Sequence, residues 1–481
     1  MAEARYLEAI RKGKKSAEKS PGQYLPDVAT NLIDLGNLYS KNGRPDKAEA
    51  SYNEALDIRR KLAQTTPERF LPAVAMTLYN LGLLYSETSR PDKAETSLDE
   101  AVQIFKKMAE TARMESRPYL AMTLDALGDL YTHTKRPEKA EASFGQALEM
   151  FRNLDVTVPG QYLPDIAAIL TKLGLLYSKT GRPDKAETSL DEALRIRRKL
   201  AESAPRQFLP DVANTLNNFS LLYSETGRPD KAEASCDEAL GILKKLEETA
   251  PGQFLPDVAR ILGNLGLLYS KSGKPDKAET SYDEAIKIRR KLAVTTPGQF
   301  LADVAQNLND LGILYFSTGR LDRAEATYTE ALDIRRKLAV TAPDRFSPEV
   351  AMTLFNLGLV YQRTPKLDRA GVSYEEAMKI FRKLAETAPG SFLPYLAMTL
   401  VNLGALYSYT GKLDSAEQSL VEAIEVHVQL TKTVPTAPRT ELVRVAASLE
   451  QFYANKRGLS VRESKTRVNA LITKAETKGK Q

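Results

Sequence analysis

The sequence predicts an all-α fold, an α-solenoid in which helix-turn-helix repeats of 46 residues stack into a right-handed superhelix. A Leu-Gly-x-x-Tyr motif recurs along nearly the whole chain in one register, with Phe219-Ser220 as its substituted copy. Apolar residues around each motif are spaced by three and four, the periodicity of an amphipathic helix. A fixed period of this kind indicates units that bury their apolar faces only against neighbours. The motif tyrosines are Tyr39, Tyr85, Tyr131, Tyr177, Tyr223, Tyr269, Tyr315, Tyr361, Tyr407 and Tyr453.

Helix A, the first helix of each repeat, is predicted in the first full copy from about Pro26 to Lys41. Val28 and Leu35 lie on its apolar face. Gly43 follows the helix end, where the backbone often takes a positive φ that glycine adopts without steric cost. The sequence therefore places a turn at this glycine.

Helix B, the second helix, is predicted from Pro45 to about Gln64. Proline suits the first helical position because its missing N–H would have no helical partner there. Ala48, Tyr52 and Ala55 lie on the inward face, and the small alanines let another helix approach closely.

The prolines test these boundaries, because a proline inside a helix costs about 3 kcal/mol. Nearly all of the 25 prolines share the repeat phase of Pro21, Pro26 or Pro45. The sequence analysis therefore predicts that no proline interrupts a helix and that prolines in the phase of Pro26 begin helix A.

Three segments are predicted along the chain. Residues 1–20 form an orphan helix B of a preceding half repeat, residues 21–438 form nine tandem repeats, and residues 439–481 form a degenerate tenth repeat that acts as a basic C-terminal cap. Because the chain begins within a helix B, we expect it to be a truncated gene product or a piece of a longer protein.

Composition restricts the possible functions. The net charge is +6, but the basic excess lies at the two ends and no basic stripe runs through the repeats, which disfavours a nucleic-acid partner. The absence of a long apolar run or a secretory signal predicts a cytoplasmic protein without a membrane partner.

The few cysteines and histidines argue against catalysis and metal binding. With one cysteine and two histidines, the sequence predicts no metal site, no cofactor and no enzyme activity. Cys236 stands at an inward position and is predicted to be a small buried apolar residue. His133 and His427 are predicted to be surface substitutions.

The Leu-Gly-x-x-Tyr motif, followed by Ala48, Tyr52 and Ala55, resembles the tetratricopeptide repeat, whose helix B has two small residues at the positions of these alanines. The usual unit of that family has about 34 residues. The longer unit, with D-V-A at residues 27–29 and A-L-D-I-R-R-K at residues 55–61, is most similar to the kinesin-light-chain variety. The F-L-P-D-V-A segment departs from that variety, which typically has a histidine-proline pair, and no heptad segment supports a motor-adaptor role.

This resemblance implies a non-catalytic protein-protein interaction scaffold or adaptor, with a concave groove lined by helices A that holds a peptide or partner segment. In related repeats, an asparagine two residues before the glycine often hydrogen-bonds the backbone of the bound peptide. Such amides suit a peptide because each can donate and accept. Alternatively, they tie adjacent helices together. The candidate partner-binding residues at this position are Asn80, Lys172, Asn218, Asn264, Asn356 and Asn402.

Two further positions vary between copies while the framework barely changes. They lie six residues before the glycine and five residues after it, and are either ligand contacts or idle solvent positions. Methionines at the first of them could form adaptable apolar pockets or simply fill space. These methionines are Met76, Met122, Met352 and Met398.

The sequence is also consistent with two other functions. The array could be a regulatory or sensor arm of a larger effector assembly. It could also be a self-associating structural array, with a homo-oligomer formed through the exposed apolar face of the N-terminal helix.

Overall fold

The computed structural model describes residues 2–110, 114–434 and 439–477. Over these ranges the chain consists of helices joined by short turns and loops, without a β-strand, as the sequence predicts. Residues 435–438, at the end of the predicted ninth repeat, and residues 478–481 of the predicted cap lie outside the described residues.

The contacts divide the chain into two compact units, residues 1–246 and 247–481. In each unit, successive helices pack against one another. The first unit contains α1 (Ala2–Ala17), α2 (Pro21–Lys41), α3 (Pro45–Thr65), α4 (Pro67–Glu87), α5 (Pro91–Glu110), α6 (Arg117–His133), α7 (Pro137–Thr157), α8 (Leu163–Lys179), α9 (Pro183–Ser203), α10 (Pro205–Glu225) and most of α11 (Pro229–Thr249).

The second unit continues the same alternation, in which even-numbered helices are helices A and odd-numbered helices are helices B. It contains α12 (Leu255–Lys271), α13 (Pro275–Thr295), α14 (Pro297–Ser317), α15 (Leu321–Thr341), α16 (Pro343–Arg363), α17 (Leu367–Thr387), α18 (Pro389–Tyr409), α19 (Leu413–Thr433), α20 (Thr440–Arg457) and α21 (Val461–Thr477).

The motif glycine permits close packing of helix A on helix B within a repeat. A Cβ atom at Gly266 would lie 2.6 Å from the ring of Tyr282, so this ring occupies the space that any other residue would fill. The repeat that lacks the glycine also lacks the ring. Ser220 faces Cys236 there, with 2.9 Å between their oxygen and sulfur atoms, and Cys236 is fully buried as predicted.

The turn between the two helices also follows the prediction. Gly43 lies just past α2 with a φ of +65°. Ser89 and Lys135 take the same left-handed conformation at this position in the next two repeats, with φ values of 56° and 57°. The turn is therefore fixed by the helix pair and is only made easier by glycine.

The predicted start of helix A is wrong in six repeats, because the helix begins at the earlier proline. In α2, Pro21 is the first helical residue and Pro26 lies inside the helix. Pro26 removes the N–H that would bond the carbonyl of Gly22, but Gly22 is exposed and water can take that bond. The prolines inside helices A are Pro26, Pro72, Pro210, Pro348 and Pro394.

Three helices A, α6, α8 and α12, start later and close to the predicted boundary. Before α8 and α12, an acidic side chain holds the preceding loop. Asp155 Oδ1 accepts a hydrogen bond of 3.0 Å from the backbone N–H of Tyr162, just before α8. Glu247 accepts hydrogen bonds from the N–H groups of Gly252 and Phe254, just before α12. Other repeats carry alanine or threonine at this phase.

The prediction of a surface position is right for His133, which is exposed, and wrong for His427. His427 is only 8% exposed, and burial lowers its pKa. It shares its phase with Arg59, which points at the next repeat and donates hydrogen bonds to Ala73 O and Thr77 Oγ1. This phase therefore belongs to the contact between repeats.

Candidate functional site

Four outward positions on each helix A form a single stripe. They lie six before, two before, one after and five after the motif glycine, so they are spaced by four, three and four residues and share one helical face. On α16 they are Met352, Asn356, Leu359 and Arg363, all partly or fully exposed. This set of positions is the helix-A stripe.

One of the four positions, the residue directly after the glycine, was not predicted from the sequence. It is apolar in most repeats: Leu221 in the first unit is 37% exposed, and Leu267 and Ile313 in the second are 41% and 46% exposed. The sequence does indicate that this position is exposed, because Leu81 and Leu83 are two residues apart and so lie about 200° apart around a helix. Only one of them can face the core.

Lys172 in α8 lies within an ion cluster rather than alone on the stripe. Its Nζ is 2.8 Å from both carboxylate oxygens of Asp125 and 2.7 Å from Asp129 Oδ2, both on the neighbouring helix α6. Burial by itself would lower the pKa of Lys172, but the two carboxylates outweigh it and raise that pKa. The positive charge of Lys172 is thus already balanced by two carboxylates within the array.

The candidate asparagines of the second unit are held by different groups. Asn356 Nδ2 donates to Asn309 Oδ1 on the neighbouring helix α14, at 3.4 Å. Asn402 Nδ2 donates to the backbone oxygen of Met398 in its own helix, at 2.9 Å. Asn264 also has partners within the chain. Each of the three is partly exposed on the stripe.

In the first unit, Asn80 and Asn218 lie at the same position and are also partly exposed. Asn80 lines a cavity of about 270 Å³ between α2 and α4, together with Tyr52 and Leu83. Neither asparagine side chain has a hydrogen-bond partner in the part of the chain that the structure describes.

A polar network lies beneath the stripe of the second unit. Arg335, only 2% exposed, donates to Gln306 Oε1 at 2.9 Å and to Asn309 Oδ1 at 3.3 Å. Gln306 in turn donates from Nε2 to Asp310 Oδ1 at 2.9 Å. Asp310 holds the position of the candidate asparagines, and burial raises its pKa to about 6.

The helices B are joined by ion pairs between repeats. Arg336 on α15 contacts Glu376 on α17 at 2.6 Å, and the same pairing joins Arg60 to Glu100 in the first unit, also at 2.6 Å. Exposed pairs of this kind each stabilise a protein by less than about 1 kcal/mol. The charged side chains that form these pairs on the helix-B surface nevertheless already have partners within the array.

A second ladder joins helix B of one repeat to the turn of the next. Glu95 accepts hydrogen bonds from Tyr131 Oη at 3.1 Å and from Arg136 Nη1 at 2.7 Å, and the guanidinium lies 4.6 Å from the Tyr131 ring centroid. Burial by itself would raise the pKa of Glu95, but these hydrogen bonds outweigh it and lower that pKa. The motif tyrosine therefore has a structural role.

The described residues form neither a metal-binding cluster nor a membrane-spanning helix. Among the described residues, no group of three or more histidine, cysteine, aspartate or glutamate side chains is arranged to hold a metal ion. Across residues 2–110, 114–434 and 439–477, none of the helices is sufficiently long and apolar to cross a membrane.

Comparison with known families gives matches along most of the chain. A family described as tetratricopeptide repeat matches residues 1–61, 165–245, 211–291 and 349–427. Related descriptions of the same repeat match residues 33–109, 123–154 and 304–342. No curated protein sequence matches the chain significantly.

Several solved structures are similar to parts of the chain. BtubC from P. vanneervenii is 27% identical, with 52% of this chain and 92% of that one covered and a TM-score of 0.44. The apo quorum sensor NprR from B. thuringiensis is 15% identical, with 86% and 99% covered and a TM-score of 0.49. A kinesin light chain protein with nearly identical repeats from Podospora anserina is 17% identical, with 46% and 97% covered and a TM-score of 0.35. With TM-scores below 0.5, none of them assigns a partner to this chain.

Proposed function

Because the chain belongs to the tetratricopeptide repeat family, we propose that it is a non-catalytic interaction scaffold that binds a peptide or partner segment along the helix-A stripe. The observation that supports this most is the composition of the stripe. It presents exposed apolar side chains next to partly exposed amides, for example Leu267 beside Asn264. Such a surface can bury apolar groups and pair with the polar groups of an extended backbone.

The helix-B surface is less suited to this role. Its charged side chains are paired between repeats, as Arg336 is with Glu376. Its exposed apolar residues, such as Val294 and Val340, both 83% exposed, stand singly at helix ends. Single exposed apolar residues are normal on a protein surface.

Within the proposed face, the candidate residues have different roles. The amides of Asn80 and Asn218 contact the partner's backbone, and Asn264, Asn356 and Asn402 do so by exchanging their present interactions. Lys172 belongs to the same face, where its ammonium joins two helices A. The proposed partner-binding surface is thus a row of amides flanked by apolar side chains.

The proposal is tested by selecting short random peptides from a display library against the full chain. We expect Leu267→Ser with Ile313→Ser to weaken the selected peptides at least about tenfold, since two apolar contacts are lost. Val294→Ser with Val340→Ser removes equally apolar and more exposed side chains from helices B, and should leave the affinity unchanged. If no peptide is selected, or both pairs act alike, the proposal is wrong.

A second candidate, self-association through α1, is supported by the exposure of one face of that helix. Ala2 is exposed and Tyr6 is partly exposed, whereas the equivalent Ala48 and Tyr52 are 0% and 3% exposed. A second copy could cover this face. The mass of the full chain, measured at several dilutions, should then fall with dilution, and Tyr6→Glu should give the monomer throughout.

A further inference from the structure

Asp310 is an unusual member of the helix-A stripe. It lies on α14, where Asn264, Asn356 and Asn402 lie on the other helices A of the second unit. It is only partly buried, and the hydrogen bonds that its carboxylate accepts come from the neutral amides of Gln306 and Asn309. A partly buried carboxylate without a directly bonded cation is unfavourable.

The guanidinium groups that attract Asp310 donate their hydrogen bonds to other residues. Arg335 donates to Gln306, Asn309 and Thr353. Arg289 donates to Asn307 and to the backbone oxygen of Asp303. Both attract the Asp310 carboxylate through space, but within the described chain neither guanidinium nor any lysine ammonium hydrogen-bonds it.

The first unit shows how the repeats satisfy a partly buried carboxylate on a helix A. Asp125 on α6 is also partly buried, and Lys172 of the next helix A contacts both its oxygens at 2.8 Å. The cation thus comes from the helix-A stripe of the next repeat, 47 positions later in the chain.

In the second unit, the same pair of positions is neutral. Asn309 stands where Asp125 stands, and Asn356 where Lys172 stands, with the two amides 3.4 Å apart. In this repeat the carboxylate belongs to the next residue, Asp310, and no ammonium among the described residues hydrogen-bonds it. The equivalent of the Lys172 cation is therefore missing beside Asp310.

The surroundings define what could supply this cation. Ile313, one turn further along the same face of α14, is 46% exposed, and Leu267 at its position on α12 is 41% exposed. On α16 the same position is Leu359, which is partly exposed. A charged carboxylate between exposed apolar side chains is complementary to a cation flanked by apolar groups.

We propose that Asp310 binds a lysine or arginine side chain of the partner segment, and that apolar side chains of the segment on either side of it pack against Leu267, Ile313 and Leu359. This inference rests on the proposed function and specifies the chemistry of its partner. The bound side chain would give Asp310 a cationic partner, as Lys172 does for Asp125.

The test uses the peptides selected by the full chain and three variants. Asp310→Asn introduces the residue that five other helices A carry, so it is expected to fold, which circular dichroism checks. Asp333→Asn is the matched control, because Asp333 is an exposed aspartate of α15 and lies outside the helix-A stripe. Asn356→Lys places an ammonium beside Asn309, the residue that precedes Asp310.

We expect selected peptides to share a lysine or arginine between apolar residues. Asp310→Asn should weaken them at least about tenfold, Asn356→Lys should do the same, and Asp333→Asn should have no effect. Replacing the basic residue of the peptide by glutamine should weaken binding to the intact chain equally, with little further loss on Asp310→Asn.

Two results would contradict the inference, and they are distinguishable. Peptides without a basic residue, or basic peptides that bind Asp310→Asn as well as the intact chain, overturn it. If those peptides still depend on Leu267 and Ile313, the interaction scaffold remains supported. If no peptide binds the helix-A stripe at all, the proposed function fails and this inference fails with it.

Discussion

At the scale of single residues, buried charge distinguishes positions that the repeat otherwise makes equivalent. The stripe position two before the glycine carries asparagine in five repeats, lysine in one and aspartate in two. Asp34 is exposed, whereas Asp310 is partly buried and its pKa is raised from 3.8 to about 6. The same residue type therefore has different chemistry in two repeats.

The raised pKa of Asp310 predicts a pH-dependent gain from Asp310→Asn. Between about pH 4 and 6 the folded chain binds a proton that the unfolded chain has released, so stability falls as the pH rises through this range. The variant should be more stable than the parent by about 3 kcal/mol at pH 7 and should lose this advantage below about pH 4. Urea denaturation at several pH values measures it, and an equal gain at all pH values would refute the assignment.

A second residue pair predicts strong coupling. Cys236→Tyr alone would push a ring against Ser220, where a ring is tolerated in other repeats only beside glycine. We expect it to cost about 1–3 kcal/mol. Ser220→Gly together with Cys236→Tyr should recover most of that loss, because it recreates the packing of Gly266 on Tyr282. Thermal denaturation of both single variants and the double variant measures the coupling, and simple additivity would contradict this packing argument.

At the scale of elements, the same peptide adopts two structures. Pro-Gly-Gln-Phe is a loop at residues 251–254 and the first turn of α14 at residues 297–300. The difference follows from Glu247, which accepts hydrogen bonds from the loop, while Ala293 holds the equivalent position before α14. A side chain of the preceding helix B thus decides where helix A begins.

This explanation predicts that Glu247→Ala releases the loop before α12. The backbone N–H groups of Gly252 and Phe254 lose a charged acceptor, and the chain should lose about 1–3 kcal/mol of stability. Hydrogen exchange at these two amides should become faster, or α12 should extend towards Pro251. The exposed neighbour Glu248 gives the control, since Glu248→Ala removes the same charge and should change neither amide.

At the scale of the whole molecule, repetition assigns separate tasks to the faces of the helices. Inward positions pack each repeat, as Gly266 does with Tyr282, and the phase of Arg335 and His427 joins one repeat to the next. Each unit leaves the helix-A stripe as the face where apolar groups and amides remain partly exposed. That division of tasks is the basis of the proposed scaffold.

The sequence by itself determined the all-α repeat fold, the turns and the inward faces, because a fixed period and helical spacing depend only on local order along the chain. It also located the candidate asparagines on a common face. It could not determine the partners of those side chains, since the bonds of Lys172 and Asn356 join residues 47 positions apart.

Only the tertiary structure decided which prolines lie inside helices and that His427 is buried. It also decided that Asp310 lies beside amides while Asp125 has an ammonium. These outcomes depend on how neighbouring helices exclude water from particular side chains, and exclusion of water is a property of packing rather than of sequence spacing.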